Sequence, residues 1–104
     1  MSTSPQQAPG TTVQQAPGIK RTDLQEHDLS SPGRVVIQNR VELGPEAPAV
    51  RHWHPGEEIT RVPATALMVP AERIHSVKTW RRRCAELATC VVEKAKPFLV
   101  VVDD

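Results

Sequence analysis

An all-β fold is the class this sequence predicts, and three observations carry the prediction. From Arg34 to Leu43 the chain alternates, with Val35, Ile37, Val41 and Leu43 on one face, interrupted by Asn39, and Gln38, Arg40 and Glu42 opposite. That is the pattern of a half-buried strand. Beyond the break at Gly44-Pro45-Glu46-Ala47-Pro48, Val50, His52 and His54 share one parity, so an apolar face continues into a polar one. Finally, Phe98 to Val102 is short and β-branched, a closing strand ahead of a solvated Asp103-Asp104 end.

Taken in chain order, residues 1–18 stand apart. Gln6-Gln7-Ala8-Pro9-Gly10 recurs as Gln14-Gln15-Ala16-Pro17-Gly18, rich in Gln, Pro, Gly and Thr with almost nothing apolar to bury, which reads as a disordered tail. The folded domain is then expected over 19–104, within the single-domain range. Its core is thin. Trp53, Trp80 and Phe98 are the three aromatic residues, so burial falls to Val, Leu, Ile and Ala, and self-association as a homodimer is one remedy.

The formal charge of +1 provides no long-range field for nucleic acid or a membrane surface. No apolar run approaches the ~20 residues that span a bilayer, and the N-terminus has no apolar stretch of signal-peptide type. The expectation is a soluble, cytoplasmic protein, or an exported one if the true start lies upstream. Cys84 and Cys90 are six apart, roughly 20 Å if both sit in one strand, against the ~4.4 to 6.8 Å that a disulfide needs, and on different faces of a helix. They read as reduced thiols, consistent with a reducing compartment. His27 reads as a surface residue and Arg81-Arg82-Arg83 as a solvated loop.

The segment Thr79 to Glu93 is open between two readings. Trp80, Cys84, Leu87, Ala88 and Val91 recur at helical spacing, with Arg81, Arg82, Arg83, Glu86 and Glu93 around the other side, which by itself describes an amphipathic helix.

The chemistry-bearing feature is Arg51-His52-Trp53-His54-Pro55-Gly56-Glu57-Glu58, followed by Pro70-Ala71-Glu72-Arg73-Ile74-His75. In a strand, residues two apart share a face about 6.5 to 7 Å apart, so His52 and His54 can address one ion while Trp53 faces away. Pro55-Gly56 permits the turn that brings Glu58 back toward them. His75 must arrive from elsewhere, and Pro70, ending Ala66-Leu67-Met68-Val69, marks a corner that can present it. Three imidazoles and a carboxylate suit a divalent transition metal, Fe, Mn, Ni, Cu or Zn, with open coordination positions. No second catalytic constellation accompanies them.

With these residues the chain resembles the small single-domain members of the cupin superfamily. The family's first motif, H-x-H then E, is similar to His52, His54 and Glu58. Its second, P-x-G-x-x-H followed by N, is similar to Pro70 and His75, with Glu72 in place of the glycine and Thr79 in place of the asparagine. Pro32-Gly33-Arg34, Val41-Glu42-Leu43 and Ala85-Glu86-Leu87-Ala88-Thr89 look like framework strands, so the resemblance runs from about Thr22 to Pro97. It implies a jelly-roll barrel, and it turns Ser76 to Trp80 and Glu86 to Val92 into strands. Only Ile59 to Val69 separate the motifs, where the family has two further strands, roughly 20 residues with their turns. The expected barrel is therefore incomplete, with unpaired edges.

The resemblance implies His52, His54, Glu58 and His75 as metal ligands and dioxygenase, isomerase or small-molecule-binding roles; it does not fix whether the protein is an enzyme. The alternatives are a metal-free cupin-like module that binds a small molecule or dimerises, and a degenerate chain without function of its own.

Overall fold

Alternating burial organises the protein into two antiparallel sheets. The computed structural model describes residues 2–45, 47–62, 65–76, 84–94 and 96–102. Among these, the strands in chain order are β1 (Ser2–Ser4), β2 (Thr12–Ala16), β3 (Ile19–Asp28), β4 (Arg34–Leu43), β5 (His52–Trp53), β6 (Glu58–Val62), β7 (Thr65–Val69), β8 (Cys84–Glu93) and β9 (Leu99–Val101). A six-stranded sheet has the order β2-β3-β4-β8-β6-β7, and a three-stranded sheet the order β1-β9-β5. The described residues contain no helix and no closed barrel.

Strand β4 is the centre of the larger sheet because both its neighbours pair along its whole length, β3 from Ile19↔Leu43 to Asp28↔Val35 and β8 from Arg34↔Glu93 to Leu43↔Cys84. Its inward residues Val35, Ile37, Asn39 and Leu43 are buried, as the alternation predicts. On β8 the inward set is Glu86, Ala88, Cys90 and Val92. The 84–93 stretch is thus strand, and the helical spacing of its apolar residues is overridden by pairing on both sides. Residues 77–83, which include Trp80 and Arg81-Arg82-Arg83, lie outside the described residues. The smaller sheet closes over one end of the larger one. Phe98 and Leu99 pack on Val35, Ile37, Cys90 and Val92, and a second cluster gathers Ile19, Leu43 and Ala47.

Two expectations change. Residues 2–18 are not a detached tail: β1 pairs with β9, and β2 pairs with β3 through Thr12↔Thr22 and Gln14↔Lys20. Gly18, at a φ of 79°, makes the turn into β3. A polar segment can serve as an edge strand because its partner supplies the apolar face. The radius of gyration, 13.0 Å, is that of a packed chain of this length rather than a domain with a trailing arm. Second, the short interval between the motifs is a hairpin: β6 pairs with β7 from Glu58↔Val69 to Val62↔Thr65, and β6 also pairs with β8. The segment expected to be a bare connection therefore extends the larger sheet.

Candidate metal centre

Local geometry places each polar side chain. His52 lies in β5 and His54 just past it, where Pro55 and Gly56 turn the chain toward β6. A Cβ added to Gly56 would overlap the Val91 carbonyl, so only glycine lets this turn lie against β8. There the Val91 N–H donates to the Glu57 carbonyl at 3.0 Å. Glu58 consequently opens β6 with Cys90 as its cross-strand partner, and its buried side chain points between the sheets.

His75 arrives from the opposite direction and is fastened to β5 by reciprocal backbone hydrogen bonds: His52 N–H to His75 O at 2.9 Å and His75 N–H to His52 O at 2.8 Å. The bend that delivers it passes through Glu72, whose N–H donates to His54 O at 2.8 Å and whose φ is 62°. That left-handed conformation is strained for a residue with a Cβ.

The structure thus brings His52, His54, Glu58 and His75 together. Ring centroids are 4.2 Å apart for His52 and His75, 5.0 Å for His52 and His54 and 5.3 Å for His54 and His75. Ligand atoms of the three imidazoles lie within 4.8 Å of one another, and so do those of His54, Glu58 and Cys90. Each ring uses Nδ1 in the same way: His52 donates to Val50 O at 2.8 Å, His54 to Phe98 O at 2.9 Å and His75 to Arg73 O at 3.0 Å. A carbonyl can only accept, so each contact fixes the tautomer, placing the neutral ring's proton on Nδ1 and a lone pair on Nε2.

Those lone pairs meet a carboxylate. His54 Nε2 is 3.0 Å from Glu58 Oε2 and His75 Nε2 is 3.3 Å from Oε1. Neither contact is aligned as a hydrogen bond: both Nε2 atoms and Oε1 are buried without a hydrogen-bond partner. Acceptors facing acceptors at this range repel unless a cation, a proton or a metal ion, lies between them.

The titration of the cluster follows from this crowding. Burial, reinforced by the neighbouring imidazoles, pushes His52 down to about 4. Burial would lower His75 as well, but the Glu58 carboxylate and the Arg73 carbonyl raise it above the ordinary histidine value. For Glu58 burial acts upward and is outweighed by His54 and His75, which hold it below the usual carboxylate range.

Two neighbours carry no sequence motif. Cys90 donates its thiol to Glu58 Oε2 at 3.4 Å; burial, then the adjacent carboxylate, pushes that thiol well above its ordinary value, so in the metal-free chain it is a neutral brace on Glu58. Glu86 is pushed up to about 7, chiefly by burial and then by Glu58. The inward parity of Glu86, Ala88, Cys90 and Val92 was the available signal for both, but the register that sets Cys90 opposite Glu58 is a tertiary fact. Cys84 is also a free thiol, and His27 is exposed, its ring on Gln25 Oε1 at 3.0 Å.

His52, His54 and Glu58 open onto a cavity of about 320 Å³ between the sheets. Among the described residues, no helix is long and apolar enough to cross a membrane. No protein-family model matches the chain, and neither the curated proteins nor the solved structures contain a match to it.

Proposed function

We propose that this chain is a cupin-like domain that holds one divalent transition metal ion through Nε2 of His52, His54 and His75 and the Glu58 carboxylate, and binds a small molecule in the adjoining cavity. The observation that carries it is the common commitment of Nδ1 on all three rings to backbone carbonyls, leaving three Nε2 lone pairs and a carboxylate directed at one another. A hydrogen bond from the far ring nitrogen to a carbonyl orients a metal-ligating histidine and raises its basicity. The orphaned Nε2 and Oε1 atoms fit a cation better than they fit each other.

Nitrogen and oxygen donors admit iron, manganese, nickel, copper or zinc. A bound ion supplies Lewis acidity toward an oxygen of a ligand in the cavity. The chain's own residues do the rest: Glu58 balances charge, Cys90 restrains Glu58, and the Phe98 ring, edge-on to His54 with centroids 4.9 Å apart, shields one side.

The jelly-roll reading is supported by two antiparallel sheets with the candidate ligands between them, and by Glu72, which adopts a glycine-like backbone at the position where the family motif has glycine. The free thiols favour a reducing, cytoplasmic setting. The same reading makes the protein a homodimer: β7 is an edge strand, and Ile59, Met68 and Leu87, 61%, 63% and 42% exposed, present an outward apolar strip beside it.

Metal analysis of the purified protein tests the proposal. One ion per chain is expected, with loss of stoichiometric binding in the His52→Ala/His75→Ala double variant. A sub-stoichiometric ion after metal loading and dialysis, or one retained by that variant, would refute it.

A further inference from the structure

We propose that the cavity is a carboxylate site, in which Arg21, Asn39 and Gln15 hold the anionic end of a small, largely apolar acid. The anion subsite stands on its own donors. That the rest of the ligand faces the imidazole cluster rests on the metal reading above.

The wall of the cavity contains all three side chains. Arg21 and Asn39 are each only 1% exposed, yet Arg21 Nε and Nη1, Asn39 Nδ2 and Gln15 Nε2 are buried with no hydrogen-bond partner. Arg21 is already fixed in place. Its Nη2 donates to Pro5 O at 3.2 Å, its guanidinium lies 4.5 Å from the centroid of the Phe98 ring, and Nε sits 3.2 Å from Asp23 Oδ1 in an off-axis ion pair. Asp23 thereby balances the charge while leaving Nη1 unused. Asp23 Oδ2 takes a long contact from Gln7 at 3.5 Å.

A buried donor left unsatisfied keeps its full desolvation penalty, so three such residues in one wall call for a partner. Asp23 Oδ1 is orphaned as well but lies against Arg21 Nε; the donors left over, Arg21 Nη1, Asn39 Nδ2 and Gln15 Nε2, lack an acceptor. A carboxylate supplies about four lone-pair sites and no donor, and matches the planar fork of a guanidinium. A phosphate dianion would face a single arginine already paired with Asp23, whereas a monocarboxylate asks for less positive charge. The body of the ligand follows from the other lining residues, among them Ile19, Val41, Leu43, Val50 and Leu99. The volume is at the small end of ligand pockets. Because Arg21 and His54 both pack on the Phe98 ring, an acid anchored at Arg21 extends toward the imidazoles.

Isothermal titration of the full chain, zinc-loaded and again after EDTA treatment, with hexanoate, its uncharged analogue hexanamide and inorganic phosphate tests the site. Hexanoate should bind at least tenfold more tightly than either of the others. Asn39→Leu removes an orphaned donor from the anion subsite and touches no candidate metal ligand, so it should keep the zinc content while weakening hexanoate at least tenfold. Arg21→Met/Asp23→Asn should abolish binding; should that pair fail to fold, Asn39→Leu decides alone. No hexanoate binding, equal affinity for hexanamide, or affinity unchanged by Asn39→Leu overturns the carboxylate site and leaves the zinc result untouched. Absent zinc with hexanoate binding intact upholds the anion subsite and overturns the metal reading instead.

Discussion

At the residue scale, the decisive feature is that His54 and His75 turn lone pairs toward Glu58. In the metal-free chain a proton shared with His75, whose affinity for it is raised by Glu58, relieves that opposition. Metal binding should therefore release protons, increasingly so as pH falls through the raised His75 value. Calorimetry in buffers of different ionisation enthalpy measures the release, and a buffer-independent heat would contradict the arrangement. The metal-free chain should also show a stability maximum. His52 binds protons less readily folded, at about 4, than unfolded, near 6.5, so the unfolded state takes up more protons in that window and stability falls as pH drops through it. His75 acts oppositely, its contribution present below about 6.5 and lost as pH rises through its higher folded value. In EDTA, His52→Gln should flatten the acid-side loss, by at most about 3 kcal/mol, as read from denaturation midpoints at pH 4 and 6.5. Glu72 offers a test of opposite sign. Replacing it with glycine relieves the left-handed backbone and should stabilise the fold by about 0.5 to 1 kcal/mol, visible as a midpoint a few degrees higher.

At the scale of elements, the turn between β5 and β6 and the N-terminal strands matter most. Gly56→Ala would drive a methyl group into the Val91 carbonyl, so a loss of about 1 to 3 kcal/mol or more is expected, together with weaker metal binding as Glu58 shifts from the imidazoles. Removing residues 1–18 strips β2 from β3 and β1 from β9; the truncated chain should melt earlier and less cooperatively, and an unchanged melt would return that segment to the status of a tail. The contrast between these regions explains what was legible in the sequence. His52, His54 and Glu58 are neighbours along the chain, and a two-residue spacing with a Pro-Gly turn is enough to relate them. Strand β4 was legible because its apolar parity is written in Val35, Ile37, Val41 and Leu43. Strands β1 and β2 were not, since an edge strand draws stability from its partner and needs little apolar content of its own. Cys90 and Arg21 were hidden for a related reason: their roles depend on which strand lies opposite and in what register, information that no local window holds.

At the scale of the whole molecule, two sheets with few aromatic residues enclose a polar cluster at one end and a cavity beside it, and the apolar strip at the β6–β7 edge is left outside. Self-association there should be sensitive to charge. Met68→Glu is expected to convert a dimer to a monomer by sedimentation velocity without loss of metal, whereas a monomeric wild type would remove the dimer from the picture. The central claim, that three histidines and Glu58 surround one cation, is tested most directly by anomalous diffraction from zinc-loaded crystals at the zinc absorption edge. A single peak about 2.0 to 2.1 Å from Nε2 of His52, His54 and His75, and about 2.0 to 2.2 Å from a Glu58 oxygen, is expected. A peak elsewhere on the surface, or none between those four side chains, would contradict it.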